Sequence, residues 1–231
     1  AYMKIAGLDL SVTSSGIIIE ELDDKFDIVN LERHGFTTVQ KNAILEGIEL
    51  YRYEDYRNTY QRYTALQNKI LDWCKDCEYI GVEAYAISRG QNGKVFDLAE
   101  YEGYIKQELF RQGKKLRFYP PNQNKKIFTG YGKADKIRMK NEVVDRNEKK
   151  SYGNILLNIS DLPPVKNGKK GTPPTSDIID AFSLVESLRL ELKLKFGIEK
   201  IDDQPDYIKE VFVKSTEEHP LGLLNTDFIY K

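Results

Sequence analysis

Four acidic residues stand out by their positions in the sequence. Asp9 interrupts the apolar run KIAGLDL, and Glu83 ends a second apolar run, YIGVE. Asp177 and Asp180 are three residues apart in TSDIIDAF, so they would share one face of a helix. A carboxylate at the end of a buried strand is costly unless it is paired or binds a cation. The four acids are therefore candidates for a shared chemical role.

Converging carboxylates would raise one another's pKa unless cations neutralised them. Carboxylate oxygens suit Mg²⁺ or Mn²⁺, and a site with two such ions supports in-line phosphoryl displacement. Each acid also has a structural explanation. Asp177 could favour a helix N-terminus capped by Ser176 or Thr175, and Asp9 could begin a turn. Taken together and in this order, the acids favour a site for two metal ions.

The pattern of apolar residues predicts the elements that would position these acids. Strands are expected at 4–10, 16–22 and 26–34 as an antiparallel meander, then at 79–83 and 116–119. Helices are expected at 55–75, 95–111, 122–128, 134–146 and 177–196. This order predicts an α/β fold in which helices flank a mixed central sheet. We expect one domain over residues 1–197 with an inserted mobile loop at about 149–175, and a C-terminal extension over 198–231 that resembles an appendage.

The charge distribution is uneven although the formal net charge is only −1. Residues 111–150 contain 13 Lys and Arg against four Asp and Glu, a local net charge of +9. Residues 201–231 have a local net charge of −4. A basic block is the electrostatic footprint of phosphate binding, although a solvated charged face explains it equally well. The sequence has neither an apolar run approaching about 20 residues nor a basic and apolar leader, so a cytoplasmic location is expected.

Two cysteines, Cys74 and Cys77, form a single CxxC motif. The motif is expected to close a helix before a strand, whereas redox motifs usually open a helix. No second CxxC exists, and His34 and His219 are distant in the sequence. We interpret the pair as reduced structural thiols.

Several ordered segments carry a more specific pattern: GLDLSVTSSG, GVEAY, KVFDLAEYEG, YPPNQNKKIFTGYGKADK and DIIDAFSL. Together they resemble the RuvC Holliday-junction resolvases of the RNase H-like superfamily. The resemblance is discontinuous and runs from Lys4 to about Glu191. The segment with TGYGKADK is its most specific part, whereas the D-x-x-D-A pattern alone would be weak.

The resemblance implies an RNase H-like fold and a homodimer that makes paired incisions in four-way DNA junctions, leaving 5′-phosphate and 3′-hydroxyl ends. It implies Asp9, Glu83, Asp177 and Asp180 as ligands of Mg²⁺ or Mn²⁺. Lys125 and Lys136 correspond to basic residues near the scissile phosphate, and backbone amides at 130–132, expected to open the next helix, could also bind phosphate. The residues assigned to DNA binding are Lys125, Lys126, Lys133, Lys136, Arg138, Tyr85 and Arg89.

The chain departs from the family pattern after the second acid. Bacterial members place an aromatic wedge where this chain has Ala86, with Tyr85 one residue earlier. Tyr85 could stack on bases or be an ordinary core tyrosine. This departure, the long loop and the tail are more typical of bacteriophage members and make cleavage of several branched DNA structures plausible.

Three alternatives compete with the resolvase interpretation. An RNase H-type nuclease would act on RNA–DNA hybrids, but the basic block and the acid pair on the last helix favour a resolvase. A non-catalytic junction-binding scaffold would have no reason to keep four costly acids. An actin-like sugar kinase half would need a second domain that this chain is too short to hold comfortably.

Overall fold

One mixed sheet organises the computed structural model, which describes residues 2–38, 45–85, 94–166 and 171–230. The described residues form six strands in the order β4-β3-β2-β1-β5-β6. The strands are β1 Met3–Asp9, β2 Ser14–Leu22, β3 Ile28–Thr37, β4 Ile48–Leu50, β5 Cys77–Glu83 and β6 Lys115–Tyr119. The α/β class and the mixed sheet predicted from the sequence are confirmed.

The pairing of the strands brings two of the acids to one edge of the sheet. β1, β2 and β3 form the predicted antiparallel meander, and β4 runs parallel to β3. β1, β5 and β6 are parallel, with Leu8 opposite Val82. The next residues along these two strands are Asp9 and Glu83, so the two acids end neighbouring parallel strands side by side.

Six α-helices are present in the described part of the chain. They are α1 Thr59–Trp73, α2 Lys94–Arg111, α3 Pro121–Thr129, α4 Lys136–Glu148, α5 Thr175–Lys195 and α6 Asp206–Val213. The first five correspond to predicted helices with shifted ends. None of the helices in the described residues is both long and apolar enough to cross a membrane.

A hydrophobic cluster covers each face of the sheet because the side chains of a strand alternate between its faces. Ile5 and Ile18 point into a cluster with α3–α6, whereas Leu8 and Ile17 point into a second cluster with α1 and α2. The side chains that form the centre of each cluster are buried from solvent. The sheet is therefore a rigid central layer whose end carries Asp9 and Glu83.

Helix α5 lies directly on the sheet because two strand residues opposite it are glycines. A Cβ atom at Gly7 would lie 2.2 Å from the Ala181 carbonyl oxygen, and one at Gly16 would lie 2.3 Å from that of Asp177. Gly16 is also the register partner of Asp9. Any side chain at Gly16 would push the first turn of α5 away from the end of β1, so this glycine sets the approach of Asp177 to Asp9.

The loop and tail pack more closely than their composition suggests. Residues 149–166 and 171–174 contain no helix or strand, yet Leu157 and Leu162 are buried in the cluster below α5. In the tail, Phe212 of α6 and Leu223 are fully buried in that same cluster. Ile229 exchanges two backbone hydrogen bonds with Leu116 of β6. The domain boundary at 197 and the mobility of the loop stay predictions, but the described parts of both segments contribute to the core.

Two local predictions about helix ends are wrong. The N-cap of α5 is Pro174, which has no side-chain oxygen, and both Thr175 and Ser176 lie inside the helix. Residues 130–132 do not open a helix, since Gly130 is the left-handed C-cap of α3 and Asp135 caps α4. The cysteines are placed as predicted, with Cys74 ending α1, Cys77 beginning β5 and both thiols buried and free.

Candidate active site

The four predicted acids and two predicted lysines meet in one pocket of about 380 Å³. Asp9 and Glu83 enter from the ends of β1 and β5, and Asp177 and Asp180 enter from the first turns of α5. Asp180 is buried, whereas the other three acids are partly exposed to the pocket. The pocket is lined by Asp9, Glu83, Pro121, Asn124, Lys125, Lys136, Met139, Gly171, Pro173, Ser176, Asp177 and Asp180. We call this set the acid pocket.

Two protein donors hold the helix acids in place. The Lys136 ammonium group donates a hydrogen bond to Asp180 Oδ2. The Ser14 hydroxyl group donates to Asp177 Oδ2 at 2.5 Å. Ser14 is buried at the start of β2 and was not predicted as a site residue. Its only signal in the sequence is the small polar run after Asp9, which does not distinguish it from its neighbours.

Burial and mutual repulsion raise the pKa of three of these carboxyl groups. The pKa of Asp9 is raised well above its usual value by burial, then by the charges of Asp180 and Asp177. Burial and Asp180 likewise raise the pKa of Glu83 to about 7. The pKa of Asp177 is also raised to about 7, mainly by burial, although the Ser14 hydrogen bond opposes this shift. The pocket therefore holds more negative charge than its lysines neutralise.

The two lysines face the acids from different helices. Lys136 is the first residue of α4, and its charge lowers the pKa of Asp9, Glu83 and Asp177. Burial lowers the pKa of Lys136 itself, but the nearby acids outweigh burial and raise it overall. Lys125 of α3 also lowers the pKa of Glu83. The Lys136 ammonium group therefore remains charged beside the carboxylates.

The donor set matches the chemistry of a hard divalent cation. All four acids offer oxygen ligands, and the raised pKa values of Asp9, Glu83 and Asp177 show a local excess of negative charge that a cation would relieve. Across the described residues, no group of three or more His, Cys, Asp and Glu side chains could hold a metal ion in the conformation seen. Lys136 and Ser14 each donate to one carboxylate oxygen, of Asp180 and of Asp177 respectively. The residue types fit a metal site, and side-chain movements would be needed to form it.

The other predicted DNA-binding residues lie outside the acid pocket. Lys126 and Lys133 line a separate groove on the other side of α3. Arg138 is exposed, and its guanidinium carbon lies 4.9 Å from the centre of the Tyr131 ring. Arg89 and Ala86 lie outside the described residues, so their assignments stay predictions.

Tyr85 is an exposed residue rather than a core tyrosine. It follows β5 by two residues and is 49% exposed. Its hydroxyl group donates to the Ala99 carbonyl oxygen at 3.2 Å, and the Lys106 ammonium nitrogen lies 3.9 Å from the ring centre. The core explanation is wrong, and base stacking stays a prediction.

Three solved structures with a similar architecture are a RuvC protein, RuvC bound to a Holliday junction and a Holliday junction resolvase. The Thermus thermophilus RuvC structure has a TM-score of 0.51 and 18% identity, and the match covers 86% of this chain and 99% of that chain. T. thermophilus RuvC in complex with a Holliday junction substrate has the same TM-score and coverage at 15% identity. The yeast mitochondrial Holliday junction resolvase Ydc2 has a TM-score of 0.52 at 15% identity, covering 84% of this chain and 81% of that chain.

Sequence comparisons add nothing to this likeness, because no protein-family model and no curated protein matches the chain. The structural matches nevertheless extend over most of the chain and nearly the full length of T. thermophilus RuvC. The chain therefore has the RNase H-like fold of the RuvC-type resolvases.

Proposed function

We propose that this chain is a metal-dependent endonuclease that cuts four-way DNA junctions and related branched DNA. One observation carries the proposal: the pocket formed by Asp9, Glu83, Asp177 and Asp180 lies at the end of β1 and β5 in a fold shared with junction resolvases. A matching structure contains RuvC with its Holliday junction substrate. The four acids, together with the two pocket lysines, form a site suited to phosphodiester hydrolysis.

Asp9, Glu83, Asp177 and Asp180 would hold one or two Mg²⁺ or Mn²⁺ ions. Such ions supply a water of lowered pKa and stabilise the charge that develops during in-line displacement at phosphorus. The rigid strand ends would fix Asp9 and Glu83, and Ser14 would orient Asp177. The expected products carry 5′-phosphate and 3′-hydroxyl ends.

Lys125 and Lys136 would stabilise negative charge on the phosphate oxygens. A lysine ammonium group acts as a compact point charge toward phosphate. Lys136 is anchored at Asp180, on the side of the pocket formed by α4 and α5. Lys125 approaches from α3, so the two charges would contact the bound strand from two directions.

The assembly and setting are further parts of the proposal. A homodimer would place two acid pockets on one junction, since symmetric resolution needs two cuts and each chain has one such pocket among its described residues. The long loop, the tail and the absence of an aromatic residue at position 86 favour a bacteriophage-type enzyme with broad branched-DNA specificity. Two free thiols suit the cytoplasm.

Cleavage of labelled substrates tests this function. Four-way junction, flap, linear duplex and RNA–DNA hybrid substrates would be incubated with Mg²⁺ or Mn²⁺ and wild-type protein, Asp9→Asn or Asp180→Asn. Asp202→Asn is the matched control, because Asp202 is an exposed acid in the tail. We expect paired nicks in the junction that vanish in both pocket variants and persist in the control.

Two outcomes would overturn the proposal in different ways. Tight junction binding without cutting by the wild type in either metal would indicate a scaffold. Preferential cutting of the RNA–DNA hybrid would indicate an RNase H-type nuclease.

A further inference from the structure

A groove of about 550 Å³ lies on the side of α3 opposite the acid pocket. Pro121, Asn124 and Lys125 line the acid pocket, whereas Asn122, Gln123 and Lys126 line the groove. This division follows the helical repeat, which sends neighbouring residues to different faces. Helix α3 is therefore a ridge between two concave surfaces, with a lysine facing each one.

The far wall of the groove is supplied by the C-terminal tail. Glu210, Val211, Lys214 and Thr216 line it from α6 and the residues that follow. Residues 130–132 form part of the lining between the two walls, and a Cβ atom at Gly132 would lie 3.0 Å from the Asn122 carbonyl oxygen. The groove thus exists only because the tail folds back against α3.

The lining of the groove has a positive balance although the tail is acidic. It contains Lys126, Lys133 and Lys214 against one acid, Glu210, which forms a salt bridge with Lys126. Lys133 and Lys214 are exposed, and neither forms a salt bridge with any residue in the described ranges. These two ammonium groups are therefore available to an anionic partner.

An aromatic ring lies among these charges. Tyr131 lines the groove, is 47% exposed and has the Arg138 guanidinium group over its ring. Exposed aromatic rings interleaved with lysine and arginine are the recognition elements of nucleic-acid-binding surfaces. An acidic peptide would be attracted to the lysines, but its acidic side chains would not stack on the Tyr131 ring as a base or sugar can.

We propose that this α3–α6 groove binds the sugar-phosphate backbone of a DNA arm that continues from the acid pocket across α3. This inference rests on the proposed function, and it adds a specific role for the tail. Lys125 and Lys126 are adjacent on the ridge, so a strand crossing α3 would pass from one to the other. Lys133 and Lys214 contact backbone phosphates beyond the ridge, and Tyr131 packs against a sugar or a base.

The test is the salt dependence of junction binding, measured by fluorescence anisotropy of a labelled four-way junction in EDTA. The groove variant is Lys133→Gln/Lys214→Gln. The matched control is Lys200→Gln/Lys209→Gln, which removes two charges from the tail outside the groove. The slope of log K against log salt is negative, and each lost phosphate contact should reduce its magnitude by about 0.9. The slope of the groove variant should therefore be smaller in magnitude by about 2, and the variant should bind the junction roughly tenfold more weakly.

The Lys200→Gln/Lys209→Gln control should match wild type in both the slope and the affinity. A groove variant with the wild-type slope and affinity would overturn the inference. Polyglutamate that binds wild type as tightly as DNA does, but does not bind the groove variant, would also overturn the inference and would indicate an acidic protein partner. The proposed function is tested separately. A wild-type protein that binds the junction but never cuts it would refute the nuclease function, and the salt dependence of the variants would still test whether the groove binds DNA.

Discussion

Two carboxylates on helix α5, Asp177 and Glu186, differ in the charges that surround them. Asp177 begins α5 in the acid pocket, where its pKa is raised to about 7, mainly by burial. Glu186 lies two to three turns further on, and its pKa is lowered to about 2 although burial opposes this. The charges of Arg189 and Arg146 outweigh burial at Glu186. Burial raises the pKa at both sites, so the difference comes from the neighbouring arginine side chains at Glu186.

The geometry around Glu186 explains its low pKa. Arg146 Nη1 donates to Glu186 Oε2 at 2.7 Å, and Arg189 Nε donates to Glu186 Oε1 at 2.9 Å. Tyr152 donates to the same carboxylate. A second buried acid, Glu20, lies 3.5 Å from Arg189 Nε, and burial and Glu186 raise its pKa well above normal. Glu186 accepts hydrogen bonds from both guanidinium groups and from Tyr152, so this cluster links α4, α5 and the loop after α4.

The carboxylate at the structural site, Glu186, is therefore paired with cations of the protein, whereas the carboxylates of the acid pocket outnumber the cations near them. The acid pocket keeps four carboxylates near two lysines. This excess of charge costs stability unless an external cation removes it.

The largest expected effect is the loss of stability in Glu186→Gln. The substitution removes the buried carboxylate that Arg146 and Arg189 share, and breaking such a buried pair costs about 3–5 kcal/mol. Urea denaturation would measure the free energy of unfolding, with Glu148→Gln as a control because Glu148 is exposed. A loss below about 1 kcal/mol would show that Glu186 is not a paired structural acid.

Asp177→Asn should have the opposite effect on the metal-free protein. Since the folded pKa of Asp177 is raised to about 7, its contribution to stability is fully present below pH about 4 and is lost as pH rises to about 7. The variant cannot ionise at this position, so at pH 8 in EDTA it should be more stable than wild type. The full pKa shift corresponds to about 4 kcal/mol, and solvent screening of the partly exposed carboxylate reduces the expected gain to about 2 kcal/mol.

That advantage should shrink as the pH falls, because Asp177 is protonated in both the folded and the unfolded state once the pH is below its unfolded pKa of about 3.9. Denaturation of wild type and variant at pH 4.5 and pH 8 would measure the difference. A variant that is less stable than wild type at pH 8 would mean that Asp177 is satisfied by its protein partners.

Ser14→Ala is expected to have the smallest effect, and it tests positioning rather than charge. Loss of the hydrogen bond would free the Asp177 carboxylate to rotate, and loss of such a supporting partner lowers metal affinity or activity by about 10-fold or more. Ser15→Ala is the matched control, because the Ser15 hydroxyl group donates to the Ser11 backbone instead. Metal affinity and cleavage rate would be measured for both. Equal behaviour of the two variants would remove Ser14 from the site.

Five of the six described strands and the four acids were predictable because they follow local patterns, whereas the short strand β4 was not predicted. Asp9 and Glu83 each end an apolar run, and parallel pairing of those runs then places them together. Asp177 and Asp180 share a helix face through their spacing. Such features need only the neighbouring residues.

The unpredicted parts depend on contacts between distant segments. Ser14 is 163 residues from Asp177, and nothing in its local sequence reveals that contact. The α3–α6 groove needs Lys214 of an acidic tail to fold beside Lys133. Arg117 likewise appears in the sequence as part of the basic block, yet it is buried against Glu191 and the backbone carbonyl groups of Thr226 and Asp227. Charge counts could not distinguish this structural arginine from one available to phosphate.

The claim that the acid pocket needs an external cation is tested most directly by the effect of Mg²⁺ on the free energy of unfolding at pH 8, where the pocket acids are most strongly charged. A ligand that binds only the folded state stabilises it by about 2.7 kcal/mol at a concentration 100 times its Kd. We predict that saturating Mg²⁺ stabilises wild type and the tail control Asp202→Asn by about this amount, and that Asp9→Asn loses the effect. Equal stabilisation of wild type and Asp9→Asn, or none in wild type, would contradict the assignment of the acid pocket as a metal site.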